Sequence, residues 1–180
     1  MYWYQRKDAS KKTPGKIYPK LTFFTMQEKY NMTKILFVCH GNICRSPMAE
    51  YFMKDLVRRE GLENEFEIAS AATSREEIGN DVYPPARRTL SEHGIACPRR
   101  AARQLTRVDF DEYDLIIGMD SENERGMRRI CGDGDAAKIH LLMDYTDRPG
   151  DVADPWYTRN FEATWRDVSD GCRALLKSLK

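Results

Sequence analysis

Two cysteines in the sequence are each followed by an arginine six positions later, and either pair could bind and attack a phosphoryl group. They are Cys39 with Arg45, in VCHGNICRSP, and Cys97 with Arg103, in CPRRAAR. An ionised thiol is a strong nucleophile, and the planar, permanently charged guanidinium matches two oxygens of a phosphate. The spacing is the same in both pairs, so the surrounding residues must distinguish them.

The residues between Cys39 and Arg45 are those that an anion-binding loop needs. Gly41 allows the main chain to approach a ligand closely, and Asn42 tolerates left-handed backbone geometry. A predicted helix follows directly, and a helix N-terminus carries partial positive charge. Such a loop would hold a dianion and favour the thiolate beneath it. At 97–103, by contrast, no strand or glycine accompanies the cysteine, which predicts a solvated basic connector with a part-buried thiol.

A proton donor for the leaving oxygen is predicted in the segment 144–161, DYTDRPGDVADPWYTRNF, which contains four aspartates. Asp154 is favoured because a proline stiffens the chain after it, and Trp156 and Tyr157 would provide aromatic walls. Asp120, at the end of a predicted strand, is the alternative acid. A helix-capping role would equally explain Asp120.

The elements that would position these residues alternate between apolar strands and amphipathic helices. Apolar runs predict strands at 34–38, 66–70, 114–119 and 138–143, and helical spacing predicts helices after Pro47, after Pro84, at about 121–131 and over 161–179. Ser46 is the predicted N-cap of the first helix, with Pro47 as its first residue. This alternation is typical of a doubly wound α/β fold, a four-stranded parallel sheet with helices on both faces. Ligands of such sheets bind beyond the carboxyl ends of the strands, where the loop after Cys39 begins.

Composition and charge indicate one globular domain preceded by an extension. Of 180 residues, 41% are hydrophobic and 32% charged, which suits a soluble protein with a proper core. Residues 1–32 carry seven Lys/Arg and two Asp/Glu, whereas the other 148 residues carry 22 and 26. Residues 1–32 also lack a sustained hydrophobic period, and Met32 stands immediately before the first predicted strand. We therefore interpret 1–32 as a leader or a non-native start, with an ordered N-terminal function as the alternative, and 33–180 as a single domain.

The same properties exclude several classes of protein. The mildly acidic body argues against nucleic-acid binding, and no apolar run approaches the roughly 18 residues that cross a membrane. Five irregularly spaced cysteines predict a reduced, cytoplasmic protein rather than a disulfide framework. A metal site that used Cys39, His40 and Cys44 is disfavoured because no further ligand is clustered with them.

Three stretches together resemble the low-molecular-weight protein tyrosine phosphatases. VCHGNICRSPMAE resembles their signature V-C-x-G-N-x-C-R-S-P, DEYDLIIGMDSENE their third strand and following turn, and DVADPWY their general-acid loop. The resemblance runs from about Lys34 to Leu179 and implies a flavodoxin-like fold with neither a metal nor an organic cofactor. It implies phosphotyrosine in a protein or peptide as substrate, and inorganic phosphate or other oxyanions as ligands of the loop.

The resemblance also implies a role for each matching residue. Cys39 would form a cysteinyl phosphate, Arg45 would clamp the phosphate, and Asp154 would act as acid and then as the base that activates water. Ser46 would hydrogen-bond the sulfur, and Cys44 would trap an oxidised Cys39 as a reversible disulfide. The remaining loop backbone would come from His40, Gly41, Asn42, Ile43 and Cys44, with Asn42 keeping the loop in its strained shape.

One departure from the family pattern concerns the substrate. The loop after the second predicted strand reads SAATSREEIG, and Glu76 stands where an aromatic wall residue often does in the family. Substrate preference therefore stays open, although Trp156 and Tyr157 supply walls elsewhere.

Three alternative functions remain from the sequence. A protein arginine phosphatase could use a similar scaffold, but the apolar Ile43 favours an aryl substrate. An arsenate reductase would need a relay of nearby cysteines, whereas Cys97, Cys131 and Cys172 are widely spaced. A non-catalytic phosphotyrosine binder would lack a nucleophile or an acid, and both are predicted here.

Overall fold

The computed structural model of the protein describes residues 32–180, and its centre is a parallel sheet. The predicted N-terminal extension lies outside these residues, apart from Met32. The strands are arranged in the order β2-β1-β3-β4 and comprise β1 (Thr33–Cys39), β2 (Phe66–Ala72), β3 (Leu115–Gly118) and β4 (Ile139–Leu141).

Helices cover both faces of this sheet, which confirms the predicted doubly wound α/β fold. They are α1 (Arg45–Arg59), α2 (Pro84–Glu92), α3 (Asp109–Glu112), α4 (Ser121–Cys131), α5 (Pro155–Thr158) and α6 (Phe161–Ser178). Apolar residues of α1, α2 and α6 pack on one face of the sheet, and those of α3 and α4 pack on the other.

The position of β1 inside the sheet, between β2 and β3, explains why its sequence is continuously apolar. Ile35 and Phe37 belong to the core on the α1 side, whereas Leu36 and Val38 belong to the core on the α4 side. All four side chains are fully buried. A strand covered by helices on both faces has no polar face, so alternation disappears from its sequence.

Two local predictions were wrong. Helix α1 begins at Arg45 with Cys44 as N-cap, so Ser46 lies inside the first turn and does not cap it. The hydroxyl of Ser46 instead contacts Cys39 and Asn42, which lie outside the helix. The fourth strand ends at Leu141, and a short 3₁₀ helix, Leu142–Tyr145, follows. Leu142 and Met143 are nevertheless buried, and hydrophobicity does not distinguish a buried strand from a buried turn.

Main-chain hydrogen bonds connect the loops at the carboxyl edge of the sheet. The N–H of Thr73 donates to the carbonyl of Cys39 at 2.9 Å, and the N–H of Ser74 donates to the carbonyl of His40 at 3.0 Å. The N–H of Val152 donates to the carbonyl of Met119 at 2.8 Å, which attaches the segment before Asp154 to the end of β3. Within residues 32–180, no helix is both long and apolar enough to cross a bilayer.

Candidate active site

Cys39 ends β1, and its sulfur is surrounded by hydrogen-bonding groups from the following loop. The N–H of Asn42 donates to Sγ of Cys39 at 3.3 Å, and Oγ of Ser46 lies 3.1 Å from the same sulfur. Both groups can donate to an ionised sulfur, and hydrogen bonds to the charged form of a group stabilise that form. Cys39 is buried, so few water molecules compete for these contacts.

Asn42 has the left-handed backbone conformation that the sequence allows, with φ at 58°. Its side chain donates from Nδ2 to Oγ of Ser46 at 2.9 Å and to Oγ of Ser70 at 2.8 Å. Its Oδ1 accepts from the guanidinium of Arg100 at 2.8 Å and from the N–H of Arg103 at 3.2 Å. Four polar contacts therefore hold a residue whose backbone conformation is unfavourable without such support.

Arg100 joins this loop to a buried ion pair with Glu50 of α1. Its Nη1 donates to Oε2 of Glu50 at 2.9 Å and to Oγ of Ser70 at 2.6 Å. The hydroxyl of Ser70 donates in turn to Glu50 at 2.6 Å. The prediction of a solvated basic connector at 97–103 is thus wrong for Arg100, and also for Arg103, which binds Asp109 at 2.7 Å.

We expect Arg100→Met to lower the free energy of unfolding by about 3 kcal/mol, because it removes one of the donors to the buried carboxylate of Glu50 and the closer donor to the amide oxygen of Asn42. Lys54 still binds Glu50 at 2.6 Å, which keeps the expected loss at the lower end of the range for buried pairs. Urea denaturation measures the change.

Arg99→Met is the matched control for this prediction. The side chain of Arg99 is 93% exposed and lies 3.5 Å from Asp81, whereas that of Arg100 is 16% exposed. An exposed ion pair contributes little to stability. Equal unfolding midpoints for the two variants would contradict the importance of the buried network.

The main chain of the loop offers free donors next to Cys39. Among the described residues, the N–H groups of Gly41, Ile43 and Cys44 donate to no carbonyl and to no side chain. Unpaired N–H groups at the start of a helix form the kind of site that binds anions.

Arg45 lies at the first position of α1, and its side chain is 4% exposed. Its Nη2 binds Oδ2 of Asp154 at 2.6 Å, and its Nη1 binds Oδ2 of Asp120. Burial acts to lower the pKa of this guanidinium, but the negative groups around it, Cys39, Asp120 and Asp154, raise that pKa above its usual value. Arg45 is therefore a permanent cation at the centre of the site.

Asp120 and Asp154, the two candidate acids, both cap helices. Oδ1 of Asp120 accepts from the N–H of Asn123 at 2.6 Å at the start of α4, and Oδ1 of Asp154 accepts from the N–H of Trp156 at 2.9 Å at the start of α5. Each therefore uses one oxygen for its helix and the other for Arg45. Asp120 has the capping role that the sequence suggested, together with a contact to Arg45 that the sequence did not indicate.

A cavity of about 410 Å³ opens above the loop, and most of the predicted site residues line it. Trp156 and Tyr157 form an exposed aromatic wall, 48% and 83% accessible respectively. Glu76 also lines the cavity and binds Nε2 of His40 at 3.0 Å. Asn42 and Ser46 do not line it, and are buried. The residues singled out from the sequence that line the cavity are Cys39, His40, Gly41, Ile43, Cys44, Arg45, Glu76, Asp120, Asp154, Trp156 and Tyr157.

The lining also includes residues that the sequence did not single out. They are Glu77, Glu122 and Asn123, and the two glutamates join Asp120 in making this part of the cavity acidic. Glu122 and Asn123 lie in the first turn of α4, directly after its N-cap Asp120. Since Asp120 was a candidate site residue, these two neighbours could also have been predicted from the sequence. No comparable signal marks Glu77, whose carboxylate accepts from Asn80 at 2.7 Å.

Cys44 lies in the same loop, but its environment differs from that of Cys39. Burial, together with the nearby negative groups of Cys39 and Asp154, raises the pKa of the Cys44 thiol to about 12. Cys44 is therefore a neutral thiol at physiological pH. In the described part of the chain, no three His, Cys, Asp or Glu side chains are grouped so as to hold a metal ion.

Comparisons with known proteins agree with one another. The family described as low molecular weight phosphotyrosine protein phosphatase matches residues 34–180. The low molecular weight protein-tyrosine-phosphatase YfkJ of Bacillus subtilis is 40% identical over 151 residues, covering 83% of this chain and 97% of that protein. The crystal structure of YfkJ matches with a TM-score of 0.79, over 82% of this chain and 94% of the other.

Two further solved structures have the same fold. SP-PTP, a low molecular weight protein tyrosine phosphatase from Streptococcus pyogenes, is 39% identical, with a TM-score of 0.75 over 83% of this chain and 94% of that one. Wzb from Vibrio vulnificus, in complex with benzylphosphonate, is 26% identical, with a TM-score of 0.72 over 82% of this chain and 99% of that one.

Proposed function

Because the chain belongs to the low molecular weight phosphotyrosine protein phosphatase family, a family of phosphomonoester hydrolases, we propose that it hydrolyses phosphotyrosine in proteins through a phosphocysteine intermediate. One observation carries this proposal. A cysteine with two hydrogen-bonding groups at its sulfur shares one cavity with a buried arginine and with an aspartate bound to that arginine.

The first step transfers the phosphoryl group to Cys39. The thiolate attacks phosphorus, an S–P bond forms, and the bond from phosphorus to the phenolic oxygen breaks. Arg45 and the free N–H groups of Gly41, Ile43 and Cys44 hold the phosphoryl oxygens as charge builds on them. Asp154 gives its proton to the departing phenolic oxygen, so that tyrosine leaves as a neutral phenol.

The second step returns the enzyme to its starting state. Asp154, now a carboxylate, takes a proton from a water molecule that attacks phosphorus. The S–P bond breaks, inorganic phosphate leaves, and Cys39 is again a thiolate. Ser46 supports this departure because its hydroxyl, 3.1 Å from the sulfur, stabilises the negative charge that returns to it.

The contact between Arg45 and Asp154 supports the assignment of the acid. In the structure, Oδ2 of Asp154 lies 2.6 Å from Nη2 of Arg45. A phosphoryl group that binds the guanidinium of Arg45 takes the place of this oxygen. The displaced carboxyl then remains at the cavity beside the leaving oxygen. Asp120 differs because α4, an eleven-residue helix, fixes it in place, so it serves to orient Arg45.

An aryl substrate fits the composition of the cavity. Trp156 and Tyr157 offer rings on which a phosphorylated tyrosine side chain can pack, and the buried Ile43 provides an apolar contact at the loop. The complex of the similar Wzb protein with benzylphosphonate, a ligand with both a phenyl ring and a phosphonate, supports the same substrate class.

Turnover of a phosphotyrosine peptide, compared with phosphoarginine under the same conditions, tests this proposal. We expect phosphate release from phosphotyrosine in the presence of a chelator, because Arg45 and main-chain N–H groups supply the positive charge. Preferred turnover of phosphoarginine would assign the arginine phosphatase activity instead. Tight binding of phosphotyrosine without turnover, or thiol-dependent reduction of arsenate, would equally contradict the proposal.

We also propose that Cys44 protects Cys39 from irreversible oxidation: once peroxide has oxidised Cys39 to a sulfenic acid, the Cys44 sulfur attacks the Cys39 sulfur, a disulfide forms and water leaves. Wild-type protein treated briefly with hydrogen peroxide is expected to regain most of its activity in dithiothreitol. Cys44→Ser is expected to regain clearly less, because Cys39 then proceeds to sulfinic acid. Cys97→Ser is the control and should recover as the wild type does, and equal recovery of all three proteins would contradict the role of Cys44.

A further inference from the structure

Tyr83 contacts both loops of the site although it does not line the cavity. Its main-chain N–H donates to the carbonyl of Ile43 in the phosphate loop at 2.8 Å. Its ring packs against Trp156, with centroids 5.8 Å apart, and against Phe161, with centroids 6.1 Å apart. Tyr83 is thus attached to the phosphate loop through its backbone and to the acid loop through its side chain.

The acid loop needs such support because α5 is a single turn. Asp154 is the N-cap of this four-residue helix, and a helix of this length has no stability of its own in water. At its end, Arg159 has a left-handed conformation with φ at 56°. A non-glycine residue keeps that conformation only where its surroundings hold it.

Trp156 is the side chain through which α5 is held. The guanidinium of Arg159 lies 5.6 Å from the centre of the Trp156 ring, within the range of a cation–π contact, and Tyr83 packs on that ring as well. The hydroxyl of Tyr83 lies 3.5 Å from Nη1 of Arg159. Tyr83, Trp156 and Arg159 therefore form a connected cluster, which we call the aromatic clamp.

The aromatic clamp lies directly next to the acid. The N–H of Trp156 donates to Oδ1 of Asp154 at 2.9 Å, so the position of Trp156 determines that of the carboxyl. Proton transfer requires the carboxyl to lie within roughly 2.6–3.2 Å of the leaving oxygen. A small displacement of α5 relative to the phosphate loop would move the carboxyl of Asp154 out of this range of the leaving oxygen, without altering Cys39.

We propose that Tyr83 is a positioning residue that sets the distance between the phosphate loop and the acid loop, and so places Asp154 against the leaving-group oxygen. This inference rests on the proposed role of Asp154 as acid. It assigns to Tyr83 an effect on one chemical event, protonation of the leaving group, and no effect on binding of the phosphoryl group.

The experiment measures kcat/KM for phenyl phosphate and for p-nitrophenyl phosphate. Phenol is a much weaker acid than nitrophenol, so only its departure depends strongly on a well-placed proton donor. In Tyr83→Leu we expect about a tenfold loss with phenyl phosphate and less than about a twofold loss with p-nitrophenyl phosphate. Tyr83→Phe, which keeps the ring, should restore the wild-type ratio of the two values.

Tyr145→Leu is the matched control, because Tyr145 is also half-buried against the same core but its ring packs near His140, with centroids 6.0 Å apart, and not on Trp156. It should leave the ratio unchanged. Arg159→Ala, which removes the cation of the aromatic clamp without opening the core, should shift the ratio in the same direction as Tyr83→Leu, and it provides the test if Tyr83→Leu does not fold.

The possible outcomes separate this inference from the proposed function. Wild-type protein that hydrolyses neither ester would contradict the proposed function itself. Active wild-type protein with an equal loss on both esters in Tyr83→Leu, or an unchanged ratio in Arg159→Ala, would overturn the positioning role of Tyr83 alone.

Discussion

Replacement of Cys39 by serine is expected to lower the turnover of phosphotyrosine by a factor on the order of 10⁵, as removal of a nucleophile does in other enzymes that form covalent intermediates. A serine hydroxyl must lose a proton before it attacks, and within residues 32–180 the hydrogen-bond partners at this position, the Ser46 hydroxyl and the Asn42 N–H, are not bases. The two groups next to the sulfur, the N–H of Asn42 and the hydroxyl of Ser46, can both donate to a negative charge. They stabilise a thiolate and give no help to a neutral alcohol.

Binding should survive this substitution. Arg45 and the free N–H groups of the loop are unchanged in Cys39→Ser, so a phosphotyrosine peptide should still bind, as measured by calorimetry. Cys97→Ser is the control, because Cys97 is half-buried and does not line the cavity. Turnover by Cys39→Ser within tenfold of the wild type would show that another group attacks phosphorus.

Replacement of Asp154 by asparagine is expected to have the second largest effect. With phenyl phosphate, kcat/KM should fall by roughly 10²–10³, the usual contribution of a general acid. With p-nitrophenyl phosphate the fall should be much smaller, because nitrophenolate leaves readily without a proton. Steady-state assays over a series of substituted phenyl phosphates measure the difference. In Asp154→Asn, kcat/KM should depend more steeply on the acidity of the leaving phenol than it does in the wild type.

The same variant should bind oxyanions more tightly than the wild type. In the structure, the carboxylate of Asp154 binds Nη2 of Arg45 at 2.6 Å, so it competes with a phosphate for the guanidinium. An asparagine removes that negative charge while it can still cap α5. Inhibition constants for inorganic phosphate should therefore fall, whereas the control Asp147→Asn, in the same segment, should match the wild type in both assays. An equal loss of kcat/KM with every leaving group would show that a residue other than Asp154 is the acid.

The parts of the fold and site that sequence predicts well are those determined by neighbouring residues. The continuous apolar run of β1 follows from burial on both faces, which Ile35 and Leu36 show on opposite sides. Cys39 and Arg45 are six residues apart and lie in one tight loop, so their spacing is itself a structural constraint. A glycine and an asparagine between them indicate backbone freedom without reference to the rest of the chain.

The parts that sequence misses depend on contacts between distant segments. Arg100 binds the side chain of Asn42 from 58 residues away, and its local sequence, PRRAAR, has the composition of an exposed connector. Ser46 satisfies the local rule for an N-cap, but hydrogen bonds with Cys39 and Asn42 hold it inside the first turn. Asp120 satisfies the capping rule and also binds Arg45, because an aspartate has two oxygens and the rule accounts for one.

Transfer of the phosphoryl group to Cys39 is the central claim, and trapping of the intermediate tests it most directly. Asp154→Asn mixed with p-nitrophenyl phosphate should accumulate the phosphoenzyme, because nitrophenolate leaves without an acid while the base for the attacking water is missing. Mass spectrometry after rapid quenching should find one added phosphoryl group, on the peptide that carries Cys39. A phosphoryl group on any other residue, or release of nitrophenol with no phosphorylated protein at any time, would contradict the account.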